Sequence, residues 1–463
     1  MKKVIKKEIS ELPNANGLLD YCETPQMTGQ EYKDRIKMAF YGCKSSITHL
    51  MIYADREHFS NVEYFTGYDP RFEEALLILE KDNTATIIVG NEGYGYAKKI
   101  SYDIDIVIFP TFSLPGQPKN KNIKLLNILK KTGINRQSKV GIIGWKCFDK
   151  DDYENFQNQF DIPCFIMNEV LEAADKNNVF NATSVLIGNK DGLRNYLDPK
   201  ELILCEISGT KSSRSVFALL SNLKVGMNEL EASKYLAIDG DPLGTHPNVN
   251  FGDNIFYGLA SPTTSRILKE GDIVGAGMSY RRSMIHKVSY FVKDGSQLDP
   301  KYDQLYDIYF KAITNWYETM DVDSTGGEIY KTVEDALGSY SKLGISLNPG
   351  HLIHTDEWTN SPFTKESNVK IRSGMAIQCD FTSALPHLGF CVHAEDGIII
   401  ADHQTQSVLN KIAPKSYQRM KTRQMFMRDV LGINIKDCVL PTSDMPAVIF
   451  PYLQNLNCIL ANE

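Results

Sequence analysis

The sequence has no Cys-x-x-Cys pair, and its nine cysteines stand well apart. A structural zinc module of that kind is therefore not expected, and the odd, scattered count points to reduced thiols and a cytoplasmic protein. No stretch approaches the ~18 apolar residues of a membrane span, so no membrane partner is expected. Basic charge is not in excess. Lys and Arg number 50 against 57 Asp and Glu, a net charge of −7. With the cations spread along the chain, no nucleic-acid partner is expected. The start, Met1-Lys2-Lys3-Val4-Ile5-Lys6-Lys7-Glu8, is basic but has no apolar run behind it, so no secretory leader is expected. Internal repeats and low-complexity segments are also missing, which removes solenoids and arrays from consideration.

What is there is an ordinary globular composition in a chain of 463 residues, too long for one core, so two domains are expected. The first part alternates helical and strand patterns. Glu31–Cys43 and Asn122–Lys131 read as helices, and 47–53, 75–79, 85–89, 104–109 and 139–143 as short strands. Turn residues cluster at Asn189–Pro199, which sets the boundary near 200. Beyond it, 201–223 reads as a long helix. Asn228–Ala237 is a second, with Glu231 three residues after an Asn228 cap. Tyr302, Leu305, Ile308, Tyr309, Ala312, Ile313 and Trp316 lie on one helical stripe, read as core, and Glu328–Tyr340 is a further helix. The Pro- and aromatic-rich tail, 440–453, is expected to pack across the cleft mouth or a dimer interface.

The chemistry concentrates late in the chain. His351 sits in Asn348-Pro349-Gly350-His351. Strand-like segments ending in Asp380 and carrying Glu395 follow. One imidazole and two carboxylates suit a single zinc, manganese or iron ion. Five of nine histidines fall between residues 286 and 393, namely His286, His351, His354, His387 and His393. The run His351-Leu352-Ile353-His354-Thr355-Asp356-Glu357-Trp358 is dense in polar groups. The catalytic candidates are His351, His354, Asp380 and Glu395, and the substrate-binding candidates are His393, His286, His246 and Trp358. The other reading of these groups is a hydrogen-bonded network inside the core. Cys379 and Cys391 are weaker nucleophile candidates.

Several phrases resemble the creatinase and aminopeptidase P superfamily in order and spacing over roughly residues 30–405. They are Asn61-Val62-Glu63-Tyr64-Phe65-Thr66-Gly67-Tyr68, Leu268-Lys269-Glu270-Gly271-Asp272-Ile273-Val274, Gly350-His351, Gly374-Met375 leading to Asp380, and His393-Ala394-Glu395-Asp396-Gly397. The resemblance implies an α/β N-terminal creatinase-like domain over 1–200 and an α+β pita-bread domain over 201–463. It also implies a homodimer. Metal-dependent members hold two ions with two Asp, one His and two Glu. In this chain the Asp positions fall on Gly277 and about Val288, the His on His351, the first Glu on Asp380 and the last on Glu395. A second, substrate-contacting histidine of the family falls on Trp358. At most one ion, on His351, Asp380 and Glu395, or none, is expected. The implied function is a diverged Xaa-Pro aminopeptidase- or creatinase-like hydrolase acting on a small substrate or short peptide with a C–N bond. The alternative is a catalytically inactive pita-bread binding protein.

Overall fold

The structure is a computed structural model that describes residues 2–13, 24–43, 47–82, 84–119 and 122–463. The chain divides into two compact units, Gln26–Arg194 and Met1–Pro25 together with Asn195–Glu463. The sequence boundary near 200 lies close to the observed break, but the N-terminal residues group with the second unit. The reason is pairing, since Val4–Glu8 runs antiparallel to Cys458–Asn462. The strand Cys458–Asn462 is thus taken up by the chain's own N-terminal segment.

The first unit is built on a mixed sheet in the order 105–108, 85–89, 75–80, 49–54, 140–143, 179–181. Its strands are apolar at nearly every position because both faces are covered. Successive side chains of a strand point to opposite faces, and the two cores divide accordingly. Leu50, Ile52, Leu77 and Leu79 enter one cluster with Ile36 and Ala39 of the helix Gly29–Gly42. Met51, Leu76 and Ile78 enter the other, against the helices Leu125–Lys131 and Cys164–Ala173.

The second unit holds an antiparallel sheet in the order 351–352, 376–379, 390–400, 285–290, 273–278, 248–251, and the strands 383–385 and 439–441 also pair with 390–400. The long helix Pro199–Ser221 starts on a capping box. Asp198 accepts from the Lys200 and Glu201 N–H groups, Glu201 reaches back to the Asp198 N–H, and Pro199 stands where no donor is needed. The predicted Asn228 cap is present with Glu231, but its α-helix is short, Glu229–Ser233. The aromatic stripe lies in Lys301–Thr319, where Tyr309, Ile313 and Trp316 are buried. No helix among the described residues is long and apolar enough to cross a membrane.

One glycine fixes the entry to the site. Gly350 has φ 113°, and a Cβ there would lie 2.3 Å from the Gln378 carbonyl oxygen. Gly350→Ala therefore forces the backbone apart where His351 pairs with Gln378. The expected cost is about 1–3 kcal/mol, read as a lower denaturation midpoint.

Candidate functional site

The sheet of the second unit brings five polar side chains together, His286, His351, Asp380, His393 and Glu395, and Glu357 joins them from the segment after the strand 351–352. His351 is fully buried on the short strand behind Gly350. Its Nδ1 stands 3.2 Å from the Leu352 carbonyl oxygen, where a ring N–H donates. Its Nε2 lies 3.1 Å from Glu357 Oε1 and 3.7 Å from Asp380 Oδ2, yet makes no aligned hydrogen bond. Trp358 lies flat on the imidazole, with ring centroids 4.1 Å apart and planes 15° apart.

Asp380 follows directly on the strand Ala376–Cys379. Its Oδ1 accepts from His393 Nε2 at 2.9 Å, so this one carboxylate faces both His351 and His393. Glu395 and His393 are two residues apart on the strand Phe390–Ile400 and share a face. His286 is the cross-strand neighbour of Glu395. Its Nδ1 is 2.9 Å from His393 Nδ1, with the rings edge to face at 81°. The residues that follow His286 and Glu395 turn the other way. Lys287 and Asp396 form a buried ion pair at 2.5 Å, and Asp396 also accepts from the Ala447 N–H.

Val288, like Gly277, offers no ligand atom, and antiparallel register fixes what faces each of them. Val288 faces Gly275, and the residue facing Gly277 is His286. Gly275 and Gly277 leave the His286 ring room. A Cβ at 277 would lie 3.0 Å from His286 Cδ2, and one at 275 would lie 3.2 Å from His286 Nε2.

Electrostatics separates the groups. Burial works against the charged form of His351, but the carboxylates of Glu357 and Asp380 outweigh it and hold the imidazole above its ordinary pKa. Burial alone would raise Asp380, but the His393, His351 and His286 rings lower it. Glu395 is pushed well above the carboxylate range by burial, then by Asp380, Glu357 and Asp396. His286 is pushed down to about 3 by burial and by His393.

Donor atoms of His351, Asp380 and Glu395 all lie within 4.8 Å of one another, and so do those of His286, His393 and Glu395. The first trio is the one expected from sequence. The donor set fits a divalent cation. His351 Nε2 and Glu395 Oε1 are buried without an aligned hydrogen bond, and imidazole nitrogen with carboxylate oxygen is the chemistry such ions take. Glu357 was not singled out, although the polar run containing it was.

Other candidates lie in different surroundings. His354 Nε2 stands 3.2 Å from Glu201 Oε1, and its Nδ1 accepts from the Thr355 N–H. His246 is exposed, with Nε2 2.8 Å from the Leu259 carbonyl oxygen. Trp358 packs on the His351 ring. Burial, with Asp396 and Asp380 nearby, raises the Cys379 thiol well above its ordinary value. Burial pushes Cys391 up to about 12. Neither thiol is placed as a nucleophile.

No family model and no curated protein matches the chain. Solved structures do. An Xaa-Pro dipeptidase from Bacillus anthracis matches at 16% identity and TM-score 0.61, over 81% of this chain and 96% of its own. A prolidase from Pyrococcus horikoshii OT3 matches at 17% and 0.61, over 80% and 95%. A putative aminopeptidase P from Bacillus anthracis matches at 13% and 0.59, over 85% and 99%. The likeness establishes the architecture expected from the sequence, an α/β unit followed by a pita-bread unit.

Proposed function

We propose that this pita-bread chain is a metal-dependent hydrolase of a small substrate with a C–N bond, with its cation on His351, Asp380 and Glu395. The observation that carries the reading is the pair of buried donors, His351 Nε2 and Glu395 Oε1, left without aligned hydrogen bonds beside Asp380. A divalent ion supplies Lewis acidity toward a carbonyl and lowers the pKa of a water. The protein's own groups do the rest. The Leu352 carbonyl holds the His351 Nδ1–H and so fixes the tautomer that leaves Nε2 free to ligate. His393 orients Asp380 through its Nε2–H. Glu357, a quarter exposed and next to His351, is placed to take a proton from an incoming water.

The prolidases and Xaa-Pro dipeptidase matched in structure name one substrate class, Xaa-Pro peptides. We infer that this chain handles them poorly. Gly277 offers no ligand, and Trp358 lies over His351 where an open approach would be needed. Losing one preorganised electrophilic group costs roughly 10²–10³ in rate. The test is a panel of Xaa-Pro peptides and small amides, amidines and ureas, assayed with manganese, zinc, cobalt or chelator. The expected result is chelator-sensitive turnover of a small C–N substrate and little Xaa-Pro cleavage. Robust manganese-stimulated Xaa-Pro cleavage would overturn the substrate assignment. No turnover across the panel, with or without ions, would favour a binding protein.

A further inference from the structure

We propose that His286, His393 and Glu395 form a second, nitrogen-rich cation position, sharing Glu395 with the His351–Asp380–Glu395 position. It deepens the proposed function and rests on that reading only for the shared carboxylate. Counting carboxylates predicts at most one ion, and the imidazole opposite Gly277 changes the count.

Four observations meet at this place. The His286 and His393 Nδ1 atoms are 2.9 Å apart on edge-to-face rings. Two imidazole nitrogens each about 2.0–2.1 Å from one zinc ion, at angles between a right angle and a tetrahedral one, stand about 2.9–3.4 Å apart. His393 Nε2 donates to Asp380 Oδ1 at 2.9 Å. That bond puts the ring proton on Nε2 and leaves Nδ1 a lone pair, as an orienting carboxylate does for a ligating histidine. Glu395 is 4% exposed and its Oε1 has no hydrogen-bond partner, although its donor atoms reach both trios. The fourth observation is the room made for His286. Gly275 and Gly277 flank it on the neighbouring strand, where any side chain would crowd the ring.

The ligand set decides the metal. Two imidazoles and one carboxylate favour zinc, cobalt or nickel, whereas carboxylate-rich sites suit manganese and magnesium. The inference is therefore a two-position centre whose His286–His393 half selects a softer ion. The competing arrangement is an ion-free proton relay in which Asp380, His393 and His286 pass hydrogen bonds along the same line.

The experiment uses the full chain, stripped with chelator and titrated with Co²⁺, followed by visible absorption and by calorimetry. Wild type is expected to take two equivalents. His286→Ala should weaken one step by roughly 100-fold while keeping the other, and His393→Ala should weaken the same step and, through the lost hydrogen bond to Asp380, lower the other less, since second-shell changes alone cost 10–100-fold. His351→Ala should weaken the opposite step, and Glu395→Gln both. His286→Asp should restore the weakened step and raise Mn²⁺ affinity relative to Co²⁺. His286→Asn, similar in polarity and smaller, is the second variant should the alanine protein fail to fold, which circular dichroism reports. One equivalent in wild type, lost with His351→Ala and untouched by His286→Ala, overturns this inference and leaves the proposed function standing. Two equivalents that both survive the His286 and His393 variants also overturn it. No bound ion in wild type sinks both readings and supports the relay.

Discussion

Alanine at His351 is expected to abolish turnover and to lower cation affinity by roughly 100-fold or more. The magnitude follows from comparison, because removing a residue that merely orients a ligand already costs 10–100-fold. His351 is also the ring on which Trp358 stacks, so the variant should release that indole. Two readouts therefore move together, affinity measured by calorimetry and Trp358 fluorescence. Gln at 351 retains a hydrogen-bonding group at the position and should recover part of the packing but not the affinity. Affinity and turnover unchanged in His351→Ala would move the site elsewhere in the chain.

The second large effect is on stability. Arg423 is fully buried and pairs with Glu206 and Asp444 at 2.8 Å each, and Arg419 holds the other Glu206 oxygen at 2.5 Å. Arg214 also reaches Asp444. The network ties the helix Pro199–Ser221 to the helix Pro414–Asp429 and to the segment after the strand Val439–Pro441. Arg423→Met leaves Glu206 and Asp444 facing each other with less compensation, and breaking a buried pair in this way costs about 3–5 kcal/mol. The expected result is a lower urea midpoint for the transition that changes Trp316 fluorescence, a residue of this unit and fully buried. Trp145, on the first unit, would be replaced by Phe so that it does not mask the signal.

The same network sets an acid limit. Burial would raise Asp444, but Arg423 and Arg214 outweigh it and hold the carboxyl below its ordinary value. A depressed folded pKa adds stability that is present above the unfolded value, about 3.9, and is lost as pH falls through the folded one. The unit should therefore lose stability below about pH 4, with less pH dependence in Asp444→Asn.

Much of this architecture was legible in the residues because it rests on local periodicity. The apolar runs of 49–54 and 75–80, the Asn228 cap and the stripe in Lys301–Thr319 are short-range signals. The trio of His351, Asp380 and Glu395 came instead from the resemblance carried by the ordered phrases, and its donor atoms lie within 4.8 Å of one another. What sequence did not disclose depends on register. His286 read as a substrate-binding candidate, and only register shows it opposite Gly277 and beside Glu395. Glu357 was hidden because its chain curls back after the strand, which no periodicity reports. His354 was misplaced for a similar reason. It stands three residues from His351, but the capping carboxylate Glu201 claims it. The pairing of Val4–Glu8 with Cys458–Asn462 joins segments too far apart for any spacing to register.

That last pairing has a kinetic consequence. Gln26–Arg194 is an insertion between the two pieces of the other unit, so it can finish folding on the ribosome while Val4–Glu8 still lacks its partner. The waiting strand carries Lys6 and Lys7 on an otherwise unpaired edge, and such charges discourage pairing with a foreign strand. Closure of the second unit therefore waits until Cys458–Asn462 has been made.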